Sequence, residues 1–140
     1  ITRELSEMII RDGEGASKFV KVVVRNAKNE GEARRGAFAI ANSLLVKTAL
    51  CGNDANWGRI IAALGYSGIK IREDRTDIML NGVRVANKGK STGKDKEANE
   101  RLEGKEITIT VDLRLGKGDA TVLTCDLTEE YVKINAEYRT

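Results

Sequence analysis

The dipeptide Asn81-Gly82 lies between two apolar-alternating flanks in DIMLNGVRVA, residues 77 to 86. A two-residue link between strands needs positive φ at both central positions. Asparagine and glycine meet that need best, so this segment favours a type I′ β-hairpin. A second strand pair is read in EITITVDLRLGKGDATVLTCDL, residues 106 to 127, turned at Gly116-Lys117-Gly118. KFVKVVVR, residues 18 to 25, is β-branched and alternating at its start, and adds a strand. Antiparallel sheet is therefore the frame.

The remaining segments supply helices. Leu5, Met8 and Ile9 recur at helical spacing, so residues 2 to 12 read as a helix ended by Gly13 or Gly15. In EARRGAFAIANSLLVKTAL, residues 32 to 50, the stripe Ala33, Ala37, Ile40, Ala41, Leu44 fits a long helix with a break near Asn42-Ser43. Gly52 closes it, and Asn53 or Asp54 can cap the next. WGRIIAALGYSG reads as a short buried helix ending at Gly65 or Gly68, and IKI, residues 69 to 71, as a short strand. NKGKSTGKD, residues 87 to 95, reads as a flexible loop and KEANERLEG as a helix. Thr128 can cap a last short helix, EEYVKI. No internal repeat is present. The order implies α+β with a mostly antiparallel sheet and packed helices. Residues 1 to 140 form one domain region, with 66 to 70 as the place where it would divide.

Composition narrows the chemistry. With 41% apolar and 32% charged residues, the 140-residue chain belongs with globular proteins. A net charge of +3 and 4% aromatic residues argue against a nucleic-acid partner. No apolar run approaches the roughly 18 residues of a membrane span. Ile1-Thr2-Arg3-Glu4 has no signal-peptide layout, and without a starting methionine a processed or excised piece is expected. Cys51 and Cys125 have no metal-ligand spacing and make no disulfide framework, which suits a reducing compartment. Histidine is absent. The commonest general base and metal ligand are missing with it, so any chemistry must use carboxylates, hydroxyls, lysine or residues of another chain.

Several stretches are candidate sites. GKSTGK, residues 89 to 94, lacks Walker spacing and reads as a basic loop. Lys47, Thr48, Trp57 and Arg59 lie around a helix junction. There Trp57 is either a core residue with Arg59 on a nearby carboxylate, or part of a pocket wall. The tail DLTEEYVKINAEYRT carries Tyr131, Ile134 and Tyr138, which is apolar for a chain end. A docked tail would present Asn135 and Thr140 into a site. In IIRDGEGASKF, residues 9 to 19, Glu14 stands between two glycines. It is either part of a helix-ending loop or a carboxylate facing a ligand, where bare backbone allows close approach.

RDGEGASKF, NSLLVKTALCGNDANWGRIIAALGYSG and CDLTEEYVKINAEY.T occur together in that order. Over nearly its full length the chain resembles the glutamate N-acetyltransferase family, also called ornithine acetyltransferase, the bifunctional family of arginine biosynthesis. The resemblance is to the C-terminal part of that family's β chain. It implies a cytoplasmic enzyme whose precursor cuts itself before a threonine. That threonine heads the β chain, takes an acetyl group from N-acetylornithine as an ester, and gives it to glutamate. An N-terminal nucleophile can use its own α-amine as base, which suits a chain without histidine. The oxyanion donors lie on the α chain, and α and β chains assemble as a heterotetramer.

Matched residue by residue, the family's substrate-contacting glutamate falls on Glu14, and its asparagine and terminal threonine on Asn135 and Thr140. The resemblance implies no metal and no cofactor, and leaves open acetyl-CoA as an alternative donor. The implied partners are N-acetylornithine, glutamate, the α chain and the rest of the β segment, with no nucleic acid and no membrane. The family's pattern has proline after Asn-Ser and after Gly-x-Asp; here Leu44 and Ala55 stand there, which would loosen two helix starts. Thr2 matches a place downstream of the cleavage site, so no residue here is the catalytic nucleophile. The nucleophilic threonine is expected upstream or on another chain, and the isolated chain is expected to be inactive. Two alternatives stay open: a non-catalytic binding or structural module from the same family, and another self-processing amidohydrolase, against which GEGASK and NAEYRT argue.

Overall fold

In the computed structural model, which describes residues 18–125, Asn81 and Gly82 have φ of 48° and 83°. They join β2 (Asp77–Leu80) to β3 (Val83–Asn87) as the expected hairpin. Asn81 also ties this turn sideways. Its Nδ2 donates to the carbonyls of Arg101 (3.0 Å) and Glu106 (3.2 Å), and its Oδ1 accepts from the Thr108 N–H at 2.7 Å.

The other elements are β1 (Phe19–Ala27), α1 (Glu30–Ala41), α2 (Leu44–Cys51), α3 (Trp57–Tyr66), β4 (Lys90–Ser91), α4 (Asp95–Arg101), β5 (Glu106–Asp112) and β6 (Gly118–Cys125). The strands form one sheet in the order β4-β3-β2-β5-β1-β6. Only β1 and β5 run parallel; the other four neighbouring pairs are antiparallel. The fold is α+β, with one mixed and mostly antiparallel sheet. Val20, Val22 and Val24 of β1, Ile107, Ile109 and Val111 of β5, and Ile78 and Leu80 of β2 are buried. They share a core with Ala37 and Ile40 of α1, Leu50 of α2, Ile60 and Leu64 of α3, and Ala98 of α4.

The second expected hairpin is corrected. β5 and β6 run in opposite directions, but β1 lies between them and pairs with both. Neighbouring strands are about 4.8 Å apart, so a link across an intervening strand must span about twice that. Residues 113–117 provide it by passing over the end of β1. The N–H groups of Leu113, Leu115 and Gly116 donate to the carbonyls of Arg25, Asn26 and Asn26 at 3.0, 2.8 and 3.0 Å. The glycines serve this close passage rather than a tight turn. A Cβ at Gly116 would lie 2.7 Å from the Ala27 carbonyl oxygen, and one at Gly118 would overlap the Asn29 carbonyl.

Three further expectations change. Residues 69 to 71 do not form a strand: Ile69 is buried against Gly36 of α1, and the Lys70 N–H donates to Glu32 Oε1 at 2.7 Å. Residues 87 to 95 hold the end of β3, a turn at Lys88-Gly89, β4 and the start of α4 rather than a flexible loop. Lys88 and Gly89 both have positive φ, and their N–H groups donate to Asp77 Oδ1 (2.8 Å) and the Thr76 carbonyl (2.9 Å). Asn56, not Asn53 or Asp54, caps α3, accepting from the Arg59 N–H at 3.3 Å. The break at Asn42-Ser43 is present, and Ser43 Oγ caps α2 by accepting from the Val46 N–H at 3.2 Å.

Leu44 and Ala55 behave differently. Leu44 is exposed at the first helical position, after an extended Ser43. Proline fits there, so Leu44→Pro is expected to stabilise by about 0.5 kcal/mol in urea unfolding. The buried Ala55 donates its N–H to Asn99 Oδ1 at 2.7 Å, a bond proline cannot make. Ala55→Pro is expected to destabilise by about 1 kcal/mol. Equal signs for the two would refute this account.

Candidate functional site

Phe19 opens β1 and Cys125 closes β6, and the two are cross-strand partners. Directly opposed residues of an antiparallel pair have Cα atoms about 5 Å apart. The chain thus enters β1 and leaves β6 at adjacent points on one end of the sheet. The Phe19 N–H donates to the Lys105 carbonyl at 2.8 Å, which fixes the first of these points to the start of β5. Glu14, Asn135 and Thr140, the three expected substrate contacts, lie outside the described residues, as do the expected helices over 2–12 and after Thr128.

Lys18 is the polar centre of this end. It falls in phase with Val20, Val22 and Val24, so the pleat turns its side chain toward the core, and it is buried. A buried ammonium needs acceptors. Lys18 Nζ donates to the Leu50 carbonyl at 2.8 Å, to the Leu102 carbonyl at 2.5 Å, and to Asn53 Oδ1. Leu50 is in the last turn of α2, and Leu102 is the C-cap of α4. Helix C-termini carry partial negative charge, so the cation sits where two of them converge. Asn53 takes a φ of 54°, a conformation asparagine tolerates better than most residues. The neighbouring bond from Ala55 to Asn99 ties the same α2–α3 connection to α4.

This anchor did not stand out among the sequence candidates. The signal was present, since a lysine occupies the inward phase of a valine run, where charged residues are rare.

The other candidates resolve structurally. Arg59 Nη1 donates to the Leu45 carbonyl at 2.8 Å, and among the described residues it pairs with no carboxylate. Trp57 is half-buried against the core at the start of α3, and Thr48 Oγ1 donates back to the Leu44 carbonyl at 2.8 Å. Cys51 is half-buried and Cys125 buried. Among the described residues no group of three or more Asp, Glu or Cys side chains is placed to hold a metal ion. A groove beside Lys28, Glu32, Arg35 and Lys70 lies at the opposite end of β1. Its Glu32 carboxylate already accepts from the Lys70 N–H, and the Asn29 side chain accepts from the Glu32 N–H at 2.8 Å.

Comparison with known proteins gives the wider setting. A family model described as the ArgJ family matches residues 1–140. The arginine biosynthesis bifunctional protein ArgJ of Geobacter sulfurreducens is 54% identical over 138 residues, covering 97% of this chain and 35% of that protein. The glutamate N-acetyltransferase of Methanocaldococcus jannaschii is 46% identical over 151 residues, covering 100% of this chain and 37% of that protein. The crystal structure of the arginine biosynthesis bifunctional protein ArgJ from Bacillus halodurans superposes with a TM-score of 0.89 at 43% identity. That match covers 96% of this chain and 64% of the solved one. The chain thus spans 35% of the length of the first of these curated relatives.

Proposed function

The chain belongs to the ArgJ family, and from that premise we propose that it is one portion of a glutamate N-acetyltransferase working in arginine biosynthesis. The whole enzyme moves an acetyl group from N-acetylornithine to glutamate through an acyl-threonine. The threonine hydroxyl, borne by a segment outside this chain, attacks the acetyl carbonyl once self-cleavage has freed the α-amine. Its own α-amine takes the proton. Ornithine leaves as the amine, and an ester remains. The glutamate amine then attacks that ester, and the threonine oxygen leaves.

The role of this chain is binding and orientation. Glu14 faces the substrate's ammonium group, and the bare backbone of Gly13 and Gly15 lets that group come close. Asn135 and Thr140 supply neutral donors and acceptors from the other side. The supporting observation is the pairing of Phe19 with Cys125. Glu14 precedes the first of these residues by five positions, and the tail follows directly from the second, so both segments depart from neighbouring points. The α chain and the rest of the β segment complete the site. Among the described residues no helix is long and apolar enough to cross a membrane.

The test uses the full precursor. Glu14→Gln removes the charge and keeps the shape, and is expected to lower kcat/KM for N-acetylornithine by about 30- to 100-fold, the equivalent of losing about 2–3 kcal/mol from a desolvated charge pair. The 140-residue chain alone should transfer no acetyl group; transfer by it would overturn the division of roles. Substrate binding by the chain alone, weakened by Glu14→Gln, would favour a binding module. Offering acetyl-CoA in place of N-acetylornithine decides whether the site accepts a second donor.

A further inference from the structure

The two edges of the sheet are built differently. β4 ends one side with two exposed residues, Lys90 and Ser91, and Lys88 and Lys94 flank it. A short, lysine-bearing edge of this kind resists pairing with another chain. β6 ends the other side with eight residues, carries no lysine and no proline, and has one charge, Asp119. Asp119 is engaged at the bulge, where its Oδ1 accepts from the Asn26 N–H at 3.1 Å. From Ala120 to Cys125 the pairing with β1 is regular. Among the described residues no strand lies on the outer side of β6.

The direction of the free backbone groups follows from β1. The Phe19 N–H and the Arg25 carbonyl both bond toward β5, to Lys105 and Leu113 at its two ends. Backbone groups of successive strand residues turn to alternate sides. Val20, Val22 and Val24 therefore turn toward β6 and bond their partners Thr124, Val122 and Ala120. Thr121 and Leu123, which alternate with those partners, each direct an N–H and a carbonyl outward. Side-chain burial agrees: Val22 is fully buried, whereas Val122 opposite it is only half-buried. A long apolar edge with free donors and acceptors is a template for another strand.

We propose that the outer edge of β6 pairs with a strand from the portion of the enzyme outside this chain. The proposal rests on the reading of this chain as one portion of a larger acetyltransferase. The chain spans 35% of the Geobacter relative, so the larger part of such a protein lies elsewhere and accompanies each copy of this edge. The strand that fits has alternating side chains. Apolar ones lie on the face of Ala120 and Val122, where they complete the burial of Val122, and polar ones lie opposite the exposed Thr121.

The experiment is residue-resolved amide hydrogen exchange on the full-length enzyme, with acetyl transfer followed in the same preparation. The Thr121 and Leu123 amides are expected to exchange at least about 1,000-fold more slowly than in an unstructured peptide, as paired strand amides do. Rates within about 10-fold of the unstructured peptide, with Val122 and Thr124 still slow, would show an open edge and overturn the proposal. Absence of acetyl transfer would overturn the proposed function instead, and the exchange rates would still decide whether the edge is paired. Thr121→Pro removes one outward donor and leaves the bonds to β1. It is expected to raise the Leu123 exchange rate about 10-fold or more, and an unchanged rate would refute strand pairing there. p-Benzoylphenylalanine in place of Thr121 identifies the neighbour. Photo-cross-links to peptides outside residues 1–140 are expected. Cross-links only within residues 1–140 would put a second copy or this chain's own ends on the edge, and a lack of cross-links would leave it bare; either result overturns the proposal.

Discussion

Asp77→Asn is expected to lower the unfolding free energy by about 3 kcal/mol, the scale of breaking a buried ion pair. The Asp77 carboxylate is 1% exposed and serves three partners. Its Oδ1 accepts from the Lys88 N–H at 2.8 Å, and its Oδ2 accepts from Arg114 Nη2 at 2.5 Å, with Arg84 Nη1 at 3.6 Å. One carboxylate therefore binds the start of β2 to the β3–β4 turn and to the chain leaving β5. Lys88 and Arg114 both have positive φ, a strained state for such residues, and both point a donor at Asp77. Asparagine keeps the shape but removes the charge, and it turns an NH₂ donor toward either the guanidinium or the Lys88 N–H. The contrast is Glu30→Gln. The Glu30–Arg34 pair is 3.4 Å apart with both side chains mostly in water, and its loss should stay within about 0.5 kcal/mol. Urea unfolding of both variants checks the ranking; a loss below about 1 kcal/mol for Asp77→Asn would refute it.

Gly118→Ala is the second large effect, expected to cost about 3 kcal/mol by overpacking. The added methyl would overlap the carbonyl of Asn29, which is backbone and has no rotamer to move aside. Asn29 is the N-cap of α1, and its carbonyl accepts the Ala33 N–H at 3.0 Å. Either the start of β6 or the first turn of α1 must shift. Gly104→Ala is the comparison, since a Cβ there meets nothing within 4 Å. It should be neutral or slightly stabilising. Thermal unfolding of the two separates a steric demand from the general entropy cost of glycine, and similar midpoints for both would count against the close passage.

Elements defined by local chemistry were legible. Asn81-Gly82 announced its turn because only a few residues tolerate two successive positive φ values. The break between α1 and α2 was visible because Asn42 and Ser43 favour helix ends. Neighbours in the sheet were not legible. Alternation identifies β5 and β6 as strands but says nothing about which strand lies between them. The turn at Lys88-Gly89 was misread because its composition suits a flexible linker, whereas the acceptors that hold it, Thr76 and Asp77, lie more than ten residues away. For the site, Glu14 was conspicuous between its glycines, but its reading as a ligand contact came from the family resemblance. Lys18 and Asp77 carried a weaker signal, a charged residue at the edge of an apolar run. That signal shows burial but not what the charge will meet.

The placement of β1 between β5 and β6 also sets a timetable. Val22 faces Val122, 100 positions later in the chain, and Ile109, 87 positions later. At synthesis rates of about 5–20 residues per second, β1 waits on the order of 5–20 s for its second neighbour. Through that interval Val20, Val22, Val23 and Val24 form an unpaired, aggregation-prone edge on the nascent chain. Phe19 waits longest, because its partner Cys125 is the last residue of β6 to be made.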